Sequence, residues 1–496
     1  MKNQIDLTVE KTENKRLFVL RPMVAILLFF VLGLVAWFFW YRYIVWIYLS
    51  LVVLSAVLYL VKVFDKKLLI CCLLALILSF EGALYLFVFD KNKLENGFYS
   101  GNARVESVST SGQIILSDVT IDGVEISGNI VVGDMDVKPG DTIVFYGELS
   151  ALSITDRYEL HRIARGVYYQ MKIEEYSFIG SNYQSLRNRI VYFIKDGFVR
   201  SAGSDTADYL MSIMFGESDY LVQDVKSDYT LIGVAHVFAV SGLHIGVLSA
   251  VLSFVCKKVF RLSDKVVPFV ILPIFGFYAY LCNFSPSVLR ASIMFLLSSI
   301  LLNFELCSDK ISVYCFTAFV SLIAKPVWVG DMSFLLSYGA VLGAYLLYPI
   351  FKKPFSGLKR FKNLANAIAL NCSITFSMIP LSCLFFSSVS LVAVLGSFFI
   401  IPLTSALYVI TVALMPLVAF NFIAKPISFV AKLLVDFSTV IADALSQSNA
   451  EISLRISEVG LIFWYSSLVV VSDYCSLKNN RKIIAFCCLT CLALLF

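Results

Sequence analysis

At 496 residues, 59% of them apolar and 15% charged, with repeated apolar runs close to twenty residues long, the chain is excluded from the ordinary soluble globular class. A soluble helix carries one charged face, whereas these runs are apolar all the way round. Net charge is +5, yet residues 97–180 hold 6 Lys+Arg against 12 Asp+Glu, so an acidic segment sits in a basic remainder and is a poor generic binder of phosphate.

Residues 1–22 are polar and charged and read as a cytoplasmic N-terminal segment. Apolar runs come next at 23–40, 44–61 and 68–89, predicting three transmembrane helices over 23–89. The first run ends in Trp37-Phe38-Phe39-Trp40 rather than in small residues, so it reads as a retained span and not as a cleaved signal. Basic flanks at Lys15, Arg16 and Arg21, and at Lys62, Lys66 and Lys67, assign those ends to the cytoplasm, so three crossings put the chain beyond residue 89 outside.

Over 97–180 the text changes to short alternating runs at 113–116, 129–132, 142–147 and 168–173. Turn signals at Ile121-Asp122-Gly123 and Lys138-Pro139-Gly140-Asp141 separate them, which predicts a small all-β domain, a five-stranded barrel of the OB type. Such barrels often bind single strands. The acidic balance leaves two readings open here, contact with DNA or a docking role.

Residues 183–229 interleave Arg187, Arg189, Lys195 and Arg200 with Leu186, Ile190, Val191, Ile194 and Phe198, as an interfacial amphipathic helix does. Residues 230–496 return to the membrane, with runs to about 256 and at 267–283, 288–303, 311–324, 333–350, 364–388, 391–417, 461–471 and 483–496. Segment 423–446 is amphipathic and either lies on the membrane or lines a groove. The expected fold is a polytopic α-helical membrane protein of about ten to twelve spans carrying one extracytoplasmic OB-like β domain. All twelve cysteines lie in or beside apolar runs and read as small buried hydrophobes, Cys488 and Cys491 included. Nothing calls for a cofactor or a metal, and no G-x-x-x-x-G-K-[ST] is present for ATP.

Two of the three histidines fall in the apolar run Gly233-Val234-Ala235-His236-Val237-Phe238-Ala239-Val240-Ser241-Gly242-Leu243-His244-Ile245-Gly246. Ionisable groups at membrane depth usually face a bundle interior or a wet path. On one continuous helix His236 and His244 would lie about 12 Å apart along the axis and within about 80° around it, on a shared face. Ser241 would neighbour His244, and Gly242 makes a break between the histidines easy. The bland reading is two core histidines donating to carbonyls. Arg290, after Pro286, and Asp331, before Phe334 and Ser337, stand at two span beginnings; their bland reading is an ion pair locking two helices, or charges reaching to water.

The run from His236 through Ser241-Gly242 to His244 closely resembles the signature of the ComEC family of competence proteins. Arg290-Ala291 and the pattern Asp331-x-x-Phe334-x-Leu336-Ser337 resemble further motifs of that family in the same order. So does the sequence of early spans, external β domain and many-span block. The resemblance implies a channel that passes single-stranded transforming DNA across the bacterial cytoplasmic membrane. It also implies a cytoplasmic helicase-like ATPase and an extracytoplasmic DNA receptor as partners, besides membrane lipids. Residues His236, Ser241, Gly242, His244, Arg290, Asp331, Phe334 and Ser337 are then the candidate path residues. Leu335 stands where the family often has Gln, and Gly216-Glu217 where it often has Gly-Arg. The metallo-β-lactamase-like domain of many members needs a cluster of His and Asp that three histidines cannot supply, so a short form without that nuclease is expected. Two alternatives remain: an intramembrane hydrolase with Ser241 as nucleophile and His236 or His244 as base, and an exporter of another anionic polymer.

Overall fold

A computed structural model describes residues 21–40, 44–91, 94–108, 113–126, 128–133, 135–137, 140–153, 156–181, 186–216, 221–238, 242–304, 309–355, 357, 362–386, 389–448, 451–452, 454, 456–472 and 479–495. Lys15, Arg16, Lys138, Pro139, Tyr183, Glu217 and Ser241 lie outside the described residues.

The three early runs form α1 (Pro22–Trp40), α2 (Ile44–Leu60) and α3 (Lys66–Lys91). The contact of α1 with α3 is close because Gly33 faces Ser79, whose hydroxyl donates to the Leu76 carbonyl at 2.7 Å and meets Tyr48 Oη at 2.9 Å. The outward residues are apolar too, with Val45, Trp46 and Leu60 among the most exposed side chains, as a lipid-facing surface requires.

The acidic segment folds as β1 (Gly97–Val108), β2 (Ile114–Ile121), β3 (Val124–Glu125), β4 (Asn129–Val132), β5 (Asp141–Ala151), α4 (Arg157–Ala164) and β6 (Val167–Ser181). Strand order runs β1-β5-β6-β4-β2, and pairing of β2 with β1 closes a five-stranded barrel, with β3 as a short extension of β2. Among the described residues only the β4–β6 pairing is parallel. Alternation decides the inside: Ile143, Phe145 and Leu149 of β5 are buried beside Val105, Ile114, Leu116 and Ile130, while Val144, Tyr146 and Glu148 face out. Asp122 and Gly123, both at positive φ (50° and 80°), make the tight β2–β3 turn.

The remainder is helical: α5 (Leu186–Ala202), α6 (Ser204–Phe215), α7 (Gln223–Leu231), α8 (Gly242–Lys258), α9 (Val267–Leu281), α10 (Pro286–Asn303), α11 (Lys310–Ala324), α12 (Met332–Lys352), α13 (Lys362–Phe386), α14 (Ala393–Leu414), α15 (Asn421–Ser446), α16 (Glu458–Val471) and α17 (Asn479–Leu495), with a two-stranded pairing of β7 (Val389–Ser390) and β8 (Glu451–Ile452). Four helical segments are long and apolar enough to cross a membrane, Lys66–Leu84, Met332–Phe355, Lys362–Phe385 and Ala393–Leu417, and six shorter apolar helices accompany them among the described residues.

Residues 183–229, read as amphipathic, interfacial helices, fold as helices of unlike burial. The α5 helix is amphipathic, but α6 is buried on every side, with Ala207, Leu210, Met211 and Ile213 fully inside. The cause is composition: residues 209–215 are mostly large and apolar, and α5, α14 and α15 pack around them. Lys195 and Asp208, 2.8 Å apart, tie α5 to α6. The amphipathic α15 joins the same core through Ala424, Ser428, Ala431, Ser438 and Ala442, and turns Phe422, Phe429 and Phe437 outward. The α12–α13 contact is close. Gly339 and Gly343, a G-x-x-x-G spacing, meet Ser377 and Met378 of α13, and Ser377 Oγ donates to the Gly339 carbonyl at 3.0 Å.

Candidate functional site

The histidine motif begins where α7 ends. Gly233 takes a positive φ of 72° and turns the chain against Ala393 of α14. A 3-10 turn, Ala235–Val237, comes next. Val234, Val237 and Phe238 are buried while His236 is exposed. Phe238 fixes this turn, its ring 5.2 Å from Tyr209 and 4.7 Å from Tyr229. Those two tyrosines share a closed hydroxyl network: Tyr209 and Tyr229 meet at 2.7 Å, and each reaches Ser438 Oγ of α15, at 3.0 and 3.1 Å.

The two histidines lie on separate elements, with a new helix starting at the glycine where a break is easy. His236 is in the 3-10 turn, and α8 starts only at Gly242. His244 lies in the first turn of α8, 2% exposed, its ring 4.7 Å from that of Tyr408 on α14. Gly242, two residues and so about 200° around the helix from it, turns to α10. A Cβ at Gly242 would stand 3.5 Å from Arg290 Nη2.

Arg290 is the centre of the arrangement. It is 2% exposed, in the second turn of α10, with its guanidinium 5.1 Å from the ring centroid of Tyr338 on α12. Its Nη1 is buried without an acceptor, and among the described residues it makes no ion pair. The expected alternative, a lock between Arg290 and Asp331, is therefore not formed. Asp331 instead caps α12, Oδ2 accepting from the Phe334 amide at 2.9 Å. Phe334 packs 4.3 Å from Tyr338 and stacks on Trp328 at 6.3 Å, so cap, aromatic ladder and guanidinium form one continuous path. Ser337 is half-buried on α12. Two residues before α10 starts, Asn283 and Phe284 hold positive φ values of 51° and 48°.

The structure thus brings Gly242, Arg290, Tyr338, Phe334 and Asp331 together, turns His244 to Tyr408, and leaves His236 exposed. Tyr338 and Tyr408 escaped the sequence reading. For Tyr338 a signal existed, since it lies four residues after Phe334 and shares its helix face.

An apolar helical bundle enclosing a buried cation, with a closed β barrel attached, defines a polytopic helical membrane protein. A family model described as Competence protein matches residues 213–478, more than half the chain and every motif above. The chain belongs to this competence protein family, the one its histidine motif resembles. Among curated relatives, ComE operon protein 3 of Bacillus subtilis (strain 168) is 27% identical over 174 residues, 34% of this chain and 21% of that protein. Recombination protein 2 of Haemophilus influenzae is 28% identical over 227 residues, 42% of this chain and 28% of that protein. An uncharacterized protein of Aquifex aeolicus is 30% identical over 303 residues, 58% of this chain and 68% of that one. The matches thus span less than a third of the first two relatives' length. No solved structure matches.

Proposed function

We propose that this chain passes single-stranded DNA across the bacterial cytoplasmic membrane during natural competence. Arg290 carries the reading. A buried, unpaired guanidinium costs several kcal/mol even after relaxation, and the positive end of α8 beside Gly242 adds to that cost. A phosphate in transit relieves both. Each phosphate entering against a potential negative inside meets about 2.3 kcal/mol per 100 mV, so an electropositive waist lowers the barrier and a motor must still pull. The cytoplasmic helicase-like ATPase and an external DNA receptor are the partners this requires. The chain itself acts as a conduit and not as an enzyme.

Supporting placement comes from the helices. Four long and six shorter apolar helices among the described residues give ten candidate spans, the basic ends near Arg21 and Lys66 face the cytoplasm, and the β barrel lies outside. Closure of five strands with one parallel pairing favours the OB-like reading. In the path, Arg290 meets phosphate, exposed His236 lines the approach, His244 braces α8 on Tyr408, and Asp331, Phe334 and Ser337 hold the Arg290 platform. The hydrolase reading is not favoured by the family match, and its proposed nucleophile Ser241 lies outside the described residues.

The test replaces Arg290 by Met, which keeps volume and removes charge. Relief of a buried, unpaired charge raises thermal stability, while uptake of fluorescent DNA into the cytoplasm of a competent host falls to the level of the deletion strain. Wild-type uptake in Arg290→Met, at normal protein levels, would remove Arg290 from the path and with it the reading.

A further inference from the structure

The three parts of the molecule meet at one cavity of about 470 Å³. Its walls come from α1 and α3, from α4 and the start of β6, and from the turn Pro326–Gly330 between α11 and α12. The contact is close: Ala164 of α4 accepts from Trp328 Nε1 at 3.4 Å, and Gly82 of α3 lies where a Cβ would stand 3.2 Å from both Pro326 and Leu34. Most of the lining is apolar, Phe30 and Ile163 among it.

Two exposed, charged side chains stand at its rim. Glu81 lies about 22 Å of helical rise beyond Lys66, inside the candidate span Lys66–Leu84. Lys325 follows the last residue of α11, its Nζ 5.4 Å from the Trp328 ring centroid. Both line the cavity. Neither has an ion-pair partner among the described residues, so they do not neutralise each other. Both are exposed beside the β domain, where a lipid headgroup and not the apolar lining would be their partner.

The volume falls within the range of about 300–1,000 Å³ usual for small-ligand sites. The ligand must carry one anionic group, one cationic group and an apolar body. A free ion supplies one charge only. A passing DNA strand would be repelled by Glu81. We propose that this cavity binds one aminophospholipid, with Lys325 donating to its phosphate and Glu81 accepting from its primary ammonium. Phosphatidylglycerol leaves Glu81 unpaired, and the methylated ammonium of phosphatidylcholine has no N–H to donate. The lipid then joins the N-terminal helices, the β domain and the competence block at one point. This stands whether or not DNA passes near Arg290.

Native mass spectrometry of the full chain, titrated with phosphatidylethanolamine, phosphatidylglycerol or phosphatidylcholine, reads the site directly. One tight phosphatidylethanolamine adduct is expected, weakened roughly tenfold in Glu81→Gln and in Lys325→Gln by loss of one charge-assisted hydrogen bond each, and kept in Lys325→Arg. Free phosphoethanolamine, the headgroup without chains, is expected not to compete at equal concentration. If it does, the ligand is soluble and the lipid proposal falls. Equal retention of phosphatidylglycerol by the wild type overturns the proposal without recourse to any variant, and so does undiminished binding by folded Glu81→Gln.

Discussion

Replacing Gly233 by Ala tests whether the histidine motif is set by backbone geometry. Gly233 holds φ at 72°, and a left-handed conformation costs an L-residue about 1–2 kcal/mol. The new Cβ would lie 2.9 Å from Ala393 Cβ and 3.4 Å from Ser390 Cβ, an overpacking that typically costs about 1–3 kcal/mol. Together these amount to about 2–5 kcal/mol, felt at the turn that presents His236 three residues on. Gly246 is the internal control. It lies within α8 with no atom within 4 Å of its Cβ position, so Gly246→Ala gains about 0.5–1 kcal/mol of helix preference. Thermal unfolding in one detergent, followed by DNA uptake, reads both. Gly233→Ala is expected to melt below the wild type and take up less DNA, and Gly246→Ala to melt at or above it. Equal melting of the two variants would refute the assignment of Gly233 as a geometric hinge.

Asp331→Ala loses the hydrogen bond to the Phe334 amide and about 0.5–2 kcal/mol with it, whereas Asp331→Asn keeps the cap; normal melting with abolished uptake in Asp331→Asn would instead show that the charge itself works in the path. Glu106 of the β domain has its pKa raised, first by burial, with Asp118 adding and Arg187 and the 2.7 Å hydrogen bond from Asn129 opposing. Its neutral form is therefore favoured in the folded state. That stabilisation is fully present below the ordinary glutamate pKa of about 4.3 and is lost as pH rises through the raised folded value. Glu106→Gln should flatten the pH dependence of melting over that window, and an unchanged slope would contradict the burial.

Much of the helical layout was legible because lipid forces a simple code. Runs at 267–283, 288–303 and 311–324 coincide with α9, α10 and α11 to within a few residues. The barrel was legible from alternation and from Asp122-Gly123, although β1 showed no clean pattern and was not singled out. The burial of α6 was not legible, since a buried helix and a membrane-surface helix of a dozen residues have similar texts until their neighbours are known. The candidate residues stand out by type, as charges and histidines in apolar text. Their arrangement was not legible, because a break at Gly242 changes which face each histidine takes, and no spacing rule says that Arg290 lies over Tyr338 rather than beside Asp331.

The polar groups of the bundle separate into two kinds. Most buried hydroxyls in the helices return their proton to a carbonyl three or four residues earlier: Ser249 to Gly246, Thr317 to Val313, Ser321 to Thr317, Ser373 to Ala369 and Thr411 to Leu407. These are neutral to the fold. Arg290 Nη1, Ser285 Oγ and Ser292 Oγ are buried without a hydrogen-bond partner, and so, elsewhere in the bundle, are Ser390 Oγ and Trp464 Nε1. The first three belong to α10 and its entering turn. Each such group costs about 1–3 kcal/mol, and Arg290 alone among them carries a charge. On the proposed reading its Nη1 is the donor left open for a phosphate, and the cost in stability is the cost of keeping that position open.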